Sequence, residues 1–280
     1  MTPSLEEAKA VPDLLELRAR GLGKTFDDHV VLTGVDLDIR RGEIVGIVGT
    51  SGCGKTVLMH MLLGLLPPTE GSIEVADHEL PDAPLIDLVH AKQDSVYEVR
   101  LSWAVVFQHN ALFGDTVYEN CALWLREHTK LREAEIRSRV RQCLESVKLD
   151  VDDVIDKQRD ELSGGMAKRV AVARALTADP LVVFYDEPTT GLDPVNAAHV
   201  HDLIWNTHHS RRADGTARTT VVVTHDKDLL RRLHPRTLLL HDAGVCFDGP
   251  YDEFLASELE PVRAYLAEMP GLHARPTRVE

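Results

Sequence analysis

Positive charge is scarce in this chain. Its 31 Lys and Arg residues stand against 45 Asp and Glu, for a formal net charge of −14. Apart from local patches nothing offsets phosphate repulsion, which argues against a general nucleic-acid binder. Cysteine is sparse too: Cys53, Cys121, Cys143 and Cys246 are widely spaced and form no C-x-x-C pair. Long apolar runs are missing. The most apolar stretch, Val57 to Leu66, is broken by His60 and Gly64 and falls far short of the ~20 residues that span a bilayer. The first residues, Met1 to Glu7, are acidic and lack the basic and apolar regions of a signal peptide. Any membrane role would therefore run through a partner. Also absent are an internal repeat, a low-complexity run and a G-x-G-x-x-G fingerprint, which Gly21 and Gly23 begin and Phe26 ends. What remains is an ordinary globular composition, 44% hydrophobic and 27% charged over 280 residues, enough for one large or two small domains.

One stretch organises the rest. Gly49-Thr50-Ser51-Gly52-Cys53-Gly54-Lys55-Thr56 follows the β-branched run Ile44 to Val48 and precedes the helical pattern from Val57 to Leu63. This is G-x-x-x-x-G-K-[ST] in its strand–loop–helix context, a phosphate-binding loop. Glycines let backbone N–H groups turn inward around a phosphate, and the helix start adds its positive dipole end. Lys55 can reach the β- and γ-phosphates, and the Thr56 hydroxyl suits Mg²⁺. Cys53 reads as a small filler in that loop. With a nucleotide site, the cysteines fit reduced thiols in a cytosolic protein.

Other polar residues end predicted strands. Trp103 to Phe107 is a buried strand ending at Gln108. Leu181 to Tyr185 runs into Asp186 and Glu187, and an apolar strand seldom ends in two carboxylates without a cation to neutralise them. Asp186 suits Mg²⁺ at the strand's carboxyl end, and Glu187 suits a general base that orients water. Thr219 to Thr224 ends at His225. A lone histidine is usually structural, but three polar residues at strand ends are placed to face one ligand. Ser163-Gly164-Gly165 opens a helix through Leu176, either as a plain serine cap or as a second phosphate cradle for a different nucleotide. Phe26, in a polar segment, is either a hydrophobic anchor or a ring that stacks on adenine.

Residues 1–13 read as a flexible leader. Leu14 to Ala19 and Val30 to Ile39 alternate as strands of a partly exposed sheet. Residues 77–100 read as polar and irregular. Thr116 to Glu127 and Leu131 to Leu149 carry helical periodicity, with Ile136, Val140, Cys143, Leu144 and Val147 on one face. Short strands surround Gly244, and two apolar-periodic pieces follow, Tyr251 to Ser257 and Val262 to Met269.

Taken in order, these motifs over about residues 14–250 resemble an ABC-transporter ATPase subunit. In that resemblance Phe26 is the adenine-stacking aromatic, Gly49 to Thr56 the Walker A loop and Gln108 the Q-loop. Leu162 to Met166 match the signature, Asp186 and Glu187 the Walker B pair, Gly191 to Pro194 the D-loop and His225 the switch histidine. The signature departs from the family at Met166, where a glutamine is usual, while Ser163, Gly164 and Gly165 remain. Phe107 to Phe113, Asn120 and Leu125 to Thr129 are similar to the ATPases of Mla/Mce-type lipid transport systems.

The resemblance implies an α/β fold, a P-loop core of mixed sheet and flanking helices, with a helical subdomain inserted over about residues 114–178 and a C-terminal tail from 251 to 280. It implies ATP and Mg²⁺, the metal held by Thr56, Gln108 and Asp186. It implies a second copy paired head to tail, a separate membrane permease, an Mce-type lipid-binding protein in the same complex, no nucleic acid, and a place on the cytoplasmic face of the inner membrane. The cargo expected is phospholipid, with an amino acid or a lipoprotein as alternatives. A soluble ABC-type protein of DNA or ribosomes is disfavoured by the single cassette and the acidity. A kinase or GTPase is disfavoured by the signature and the Asp186–Glu187 pair. His109 to Thr116 is expected to act as a hinge, with Leu112 and Phe113 either docking the permease or packing the subdomain.

Overall fold

The computed structural model describes residues 14–268. Two long strands come first, β1 (Leu15–Phe26) and β2 (His29–Arg40), paired antiparallel about a tight turn at Asp27 and Asp28. After β3 (Ile44–Gly49) and the phosphate loop come α1 (Lys55–Leu62), β4 (Glu70–Ala76), β5 (Leu85–Asp87), α2 (Gln93–Leu101) and β6 (Trp103–Val106). A run of helices follows: α3 (Val117–His128), α4 (Glu133–Ser146), the short α5 (Val151–Val154) and α6 (Gly164–Thr177). The chain returns through β7 (Val182–Asp186), α7 (Pro194–His209), β8 (Thr219–Val223), α8 (Lys227–Leu233), β9 (Arg236–His241) and β10 (Gly244–Gly249). Helices α9 (Tyr251–Ala256) and α10 (Glu260–Ala267) end the described chain.

The strands make two sheets. One is antiparallel, in the order β2-β1-β4-β5, and the other runs β10-β9-β3-β8-β7-β6. In the larger sheet β9, β3, β8, β7 and β6 are parallel and β10 turns back antiparallel, so the sheet is mixed, as expected. Its central strands are buried on both faces, which their unbroken apolar runs require. Alternation along each strand feeds two cores. Val182, Phe184, Val221 and Val223 face α1 and the antiparallel sheet, while Val183, Tyr185 and Val222 face the helices that follow β6. A third cluster joins Val48 and Leu239 to Tyr251, Phe254, Val262, Tyr265 and Leu266, so α9 and α10 pack as part of the body.

Local chemistry sets the helix ends. The Thr116 hydroxyl accepts from Glu119 N at 3.1 Å to cap α3, and Ile136, Val140, Cys143, Leu144 and Val147 are all buried on the α4 side, as their spacing predicts. Arg126 ties α3 to α4 through Glu119 and Glu133. Asn120, 3% exposed, pins the preceding loop: its Oδ1 accepts from Phe113 N at 2.8 Å and its Nδ2 donates to the Thr116 carbonyl at 2.9 Å.

Three readings change. Residues 77–100 are not irregular throughout, because they hold β5, paired to β4 at Val75 and Ile86, and most of α2. Phe26 ends a strand rather than sitting in a loop. The closing hairpin turns at Asp242 and Ala243, both with positive φ, and Gly244 starts β10. The expected leader, 1–13, and the tail beyond 268 lie outside the described residues.

Candidate functional site

The sheet order explains how residues far apart in sequence meet. Strands β3, β8, β7 and β6 are consecutive neighbours and parallel, so their carboxyl ends lie side by side. Beyond those four ends come the phosphate loop, His225, Asp186–Glu187 and Gln108, the edge where open α/β sheets place ligands. Gly49, Thr50, Ser51, Gly52, Gly54, Lys55, Thr56, Gln108, Glu187 and His225 line one cleft of about 800 Å³.

The loop's shape depends on Gly49, where φ is +151° and a Cβ would lie 2.7 Å from the Leu240 carbonyl oxygen and 2.5 Å from Cys53 Sγ. Only glycine fits there. Cys53 packs against the core and does not line the cleft, in keeping with a filler. Lys55 Nζ donates to the Gly49 and Thr50 carbonyls at 2.8 and 2.9 Å, which holds the ammonium over the loop.

At the end of β7 the two carboxylates differ. Asp186 is 6% exposed, and its Oδ1 is buried with no hydrogen-bond partner. Burial and then the neighbouring Glu187 charge push its carboxyl up, against the pull of His60, Lys168 and Lys55. A buried acceptor left open in this way suits a cation. Glu187 has φ +44°, unusual for a side chain of its size. Its N–H donates to the Val223 carbonyl at 2.9 Å, locking β7 to β8 at that point. Its Oε2 lies 2.8 Å from His225 Nδ1. The backbone turn thus aims a carboxylate into the cleft beside the imidazole.

Lys168, on α6 and 2% exposed, donates Nζ to the Gln108 carbonyl at 2.8 Å. Burial pushes this ammonium down to about 8, with the Asp186 charge opposing. Arg174, on the same helix, donates to the Ala111 and Asn110 carbonyls at 2.7 and 3.1 Å. Helix α6 therefore grips the segment after Gln108 at two places.

Not every expected residue lines the cleft. Phe26 is 43% exposed, carries the Lys24 ammonium 5.1 Å above its ring, and is not in the cleft wall. Ser163 and Gly164 are exposed and Gly165 is buried at the start of α6, away from that wall. The Ser163 hydroxyl caps its helix, accepting from Met166 N at 3.3 Å. Conversely, Val31, Thr190, Tyr265 and Glu268 line the cleft without having been expected. Tyr265, on α10, is 5% exposed and its hydroxyl is directed at the Gly49 backbone at the start of the phosphate loop. Its only sequence trace is the apolar spacing with Val262 and Leu266, which marks a helix face but not the surface it covers.

Comparison with known proteins bears on this geometry. Residues 32–190 match the family model described as ABC transporter. The chain belongs to that family. It is an ATP-binding cassette, the ATPase part of such a transporter. It is 36% identical over 257 residues to the probable ribonucleotide transport ATP-binding protein mkl of Mycobacterium leprae, covering 91% of this chain and 70% of that one. It is 34% identical over 232 residues to the intermembrane phospholipid transport system ATP-binding protein MlaF of Haemophilus influenzae, covering 82% of each. In fold it is similar to a dimeric ATP-binding cassette solved in a post-hydrolysis state bound to ADP and Pi, with a TM-score of 0.71 and 29% identity over 84% of this chain and 98% of that one.

Proposed function

We propose that this cassette hydrolyses ATP as a head-to-tail pair and drives lipid transport through a separate membrane permease, on the cytoplasmic face of the inner membrane. The observation that carries the catalytic part is the meeting of the phosphate loop, Gln108, Glu187 and His225 in one cleft at adjacent strand ends. Glu187 is the general base: it draws the proton of the attacking water while His225, 2.8 Å away, orients its carboxylate. Lys55 and the loop amides hold the β- and γ-phosphates. Thr56, Gln108 and Asp186 would hold Mg²⁺, which offsets the charge of those phosphates. Phe26 is the ring against which adenine stacks.

Ser163 and Gly164, exposed away from their own cleft, are available to a second copy's nucleotide, which supports a shared site. Residues 114–178 form the subdomain that moves as the pair opens and closes. No helix among the described residues is long and apolar enough to cross a membrane. A separate permease carries the cargo in this reading, and an Mce-type protein belongs to the same complex. The phospholipid named for the MlaF relative supports a lipid cargo. The ribonucleotide named for mkl favours a second reading, a nucleotide cargo.

Affinity purification of the full chain after detergent extraction tests the proposal. A polytopic permease should co-purify, and phospholipid should be recovered from the complex by mass spectrometry. Recovery of a soluble partner alone contradicts the transport reading, and a ribonucleotide in place of lipid selects the other cargo.

A further inference from the structure

Behind the His225–Glu187 pair lies a buried polar cluster that the hydrolysis scheme does not use. Asp226, the residue after His225, has both carboxylate oxygens filled. Oδ1 accepts from the Asp228 and Leu229 amides at 2.9 and 3.1 Å, as the N-cap of α8. Oδ2 accepts from the Thr189 hydroxyl at 2.7 Å and lies 2.7 Å from His201 Nε2. A carboxylate only accepts, so Nε2 carries the hydrogen. His201 and Thr189 are each 8% exposed.

These partners sit on three segments. Thr189 lies two residues beyond Glu187, in the turn toward Gly191 and Asp193. Asp226 follows His225. His201 lies about two turns into α7, whose first turn is organised by Asp193: its Oδ1 accepts from the Val195 and Asn196 amides at 3.0 and 3.1 Å, and its Oδ2 from Asn196 Nδ2 at 2.6 Å. The same Asn196 packs against the start of α6, where a Cβ on Gly165 would come within 2.5 Å of Asn196 Oδ1. One carboxylate oxygen thus ties the turn after the base and helix α7 to the segment that carries the histidine.

We propose that His201 is a positioning residue for hydrolysis: through Asp226 it fixes α7 to the β8 end and so holds His225 and Glu187 in register. The inference rests on the assignment of Glu187 and His225 as the catalytic pair. A histidine buried only for packing would affect stability. A positioning histidine affects turnover at temperatures where the fold is intact. Small displacements of reacting groups have large kinetic effects, up to about 100-fold for ~1 Å.

The test is steady-state ATP hydrolysis by the full chain with Mg·ATP. His201→Phe fills the space but cannot donate. It should lower kcat by roughly tenfold or more while KM stays within about twofold, the pattern of a lost transition-state interaction. His201→Gln, which restores an N–H donor, should recover kcat to within about threefold of the parent. Thr189→Val, which removes the other donor to the same oxygen, should also lower kcat and leave KM. Wild-type kcat in His201→Phe overturns the proposal, and so does a loss that Gln does not rescue. If His201→Phe fails to fold, wild-type kcat in Thr189→Val overturns it. Glu187→Gln is run in parallel: retained turnover there would show that the assigned base is wrong, a failure distinct from that of His201.

Discussion

Glu187→Gln should bind ATP and not turn it over, because an amide cannot take the proton of the attacking water. Equilibrium binding and steady-state hydrolysis measured on one preparation check this. Gly49→Ala forces a Cβ into the Leu240 carbonyl and Cys53 Sγ at a φ of +151°. It should destabilise the fold by about 2 kcal/mol or more and weaken nucleotide binding together, read by thermal unfolding and by titration with an ATP analogue. His208 makes a pH prediction. Burial, and then the nearby His209, push its imidazole down to about 4 from an ordinary 6.5, while its Nδ1 lies 3.0 Å from Thr220 Oγ1. Between those values the unfolded chain binds a proton that the folded chain does not. Its contribution to stability is therefore full above pH 6.5 and is lost as pH falls toward 4, up to about 3 kcal/mol. His208→Gln keeps a donor and removes the titration, so its unfolding free energy should vary less across that window than the parent's.

At the scale of elements, α10 and the loop before α3 give contrasting substitutions. Tyr265 joins the cluster around Val48 and also walls the cleft. Tyr265→Ala should cost about 3–5 kcal/mol and weaken ATP binding. Tyr265→Phe, which deletes only the hydroxyl and keeps the ring in its cluster, should stay within about 1.5 kcal/mol of the parent. In the loop, Leu112 is 5% exposed and Phe113 is 55% exposed, with the Arg174 guanidinium 5.7 Å from the Phe113 ring. Leu112 thus packs the helices against the core, and only Phe113 is free to meet a permease. Phe113→Glu should leave unfolding and ATP binding unchanged and reduce permease recovery. Leu112→Glu buries a charge and should unfold the chain at lower temperature. The sequence distinguished neither residue, since both are apolar neighbours and the difference comes from Asn120, which fixes the chain direction at Phe113.

The strand ends at the cleft are legible because each is an apolar run stopped by a glycine or a polar residue. That those ends face one ligand is read from polar residues closing apolar strands, whereas the order in which the strands lie comes only from the sheet itself. Helix α2 buries only Val99 fully, and β5 has three residues, so neither leaves a periodic pattern. His201 reads as one more polar residue in α7, and its partner is 25 residues away.

For the whole molecule, the proposed head-to-tail pair builds each ATP site from two chains. Ser163 and Gly164 are exposed outside the cleft their own chain forms, which leaves them available to the nucleotide loop of a second copy. The most direct measurement mixes a Lys55→Ala subunit with a Ser163→Arg subunit and follows ATP hydrolysis against each alone. Either variant paired with itself has both sites damaged. The mixed pair has one site carrying both lesions and one carrying neither. Activity well above the sum of the separate variants is the predicted result, approaching about a quarter of the parent's for an equal mixture that pairs at random with independent sites, since half the pairs are mixed and each has one intact site. Activity no greater than that sum would contradict the shared site.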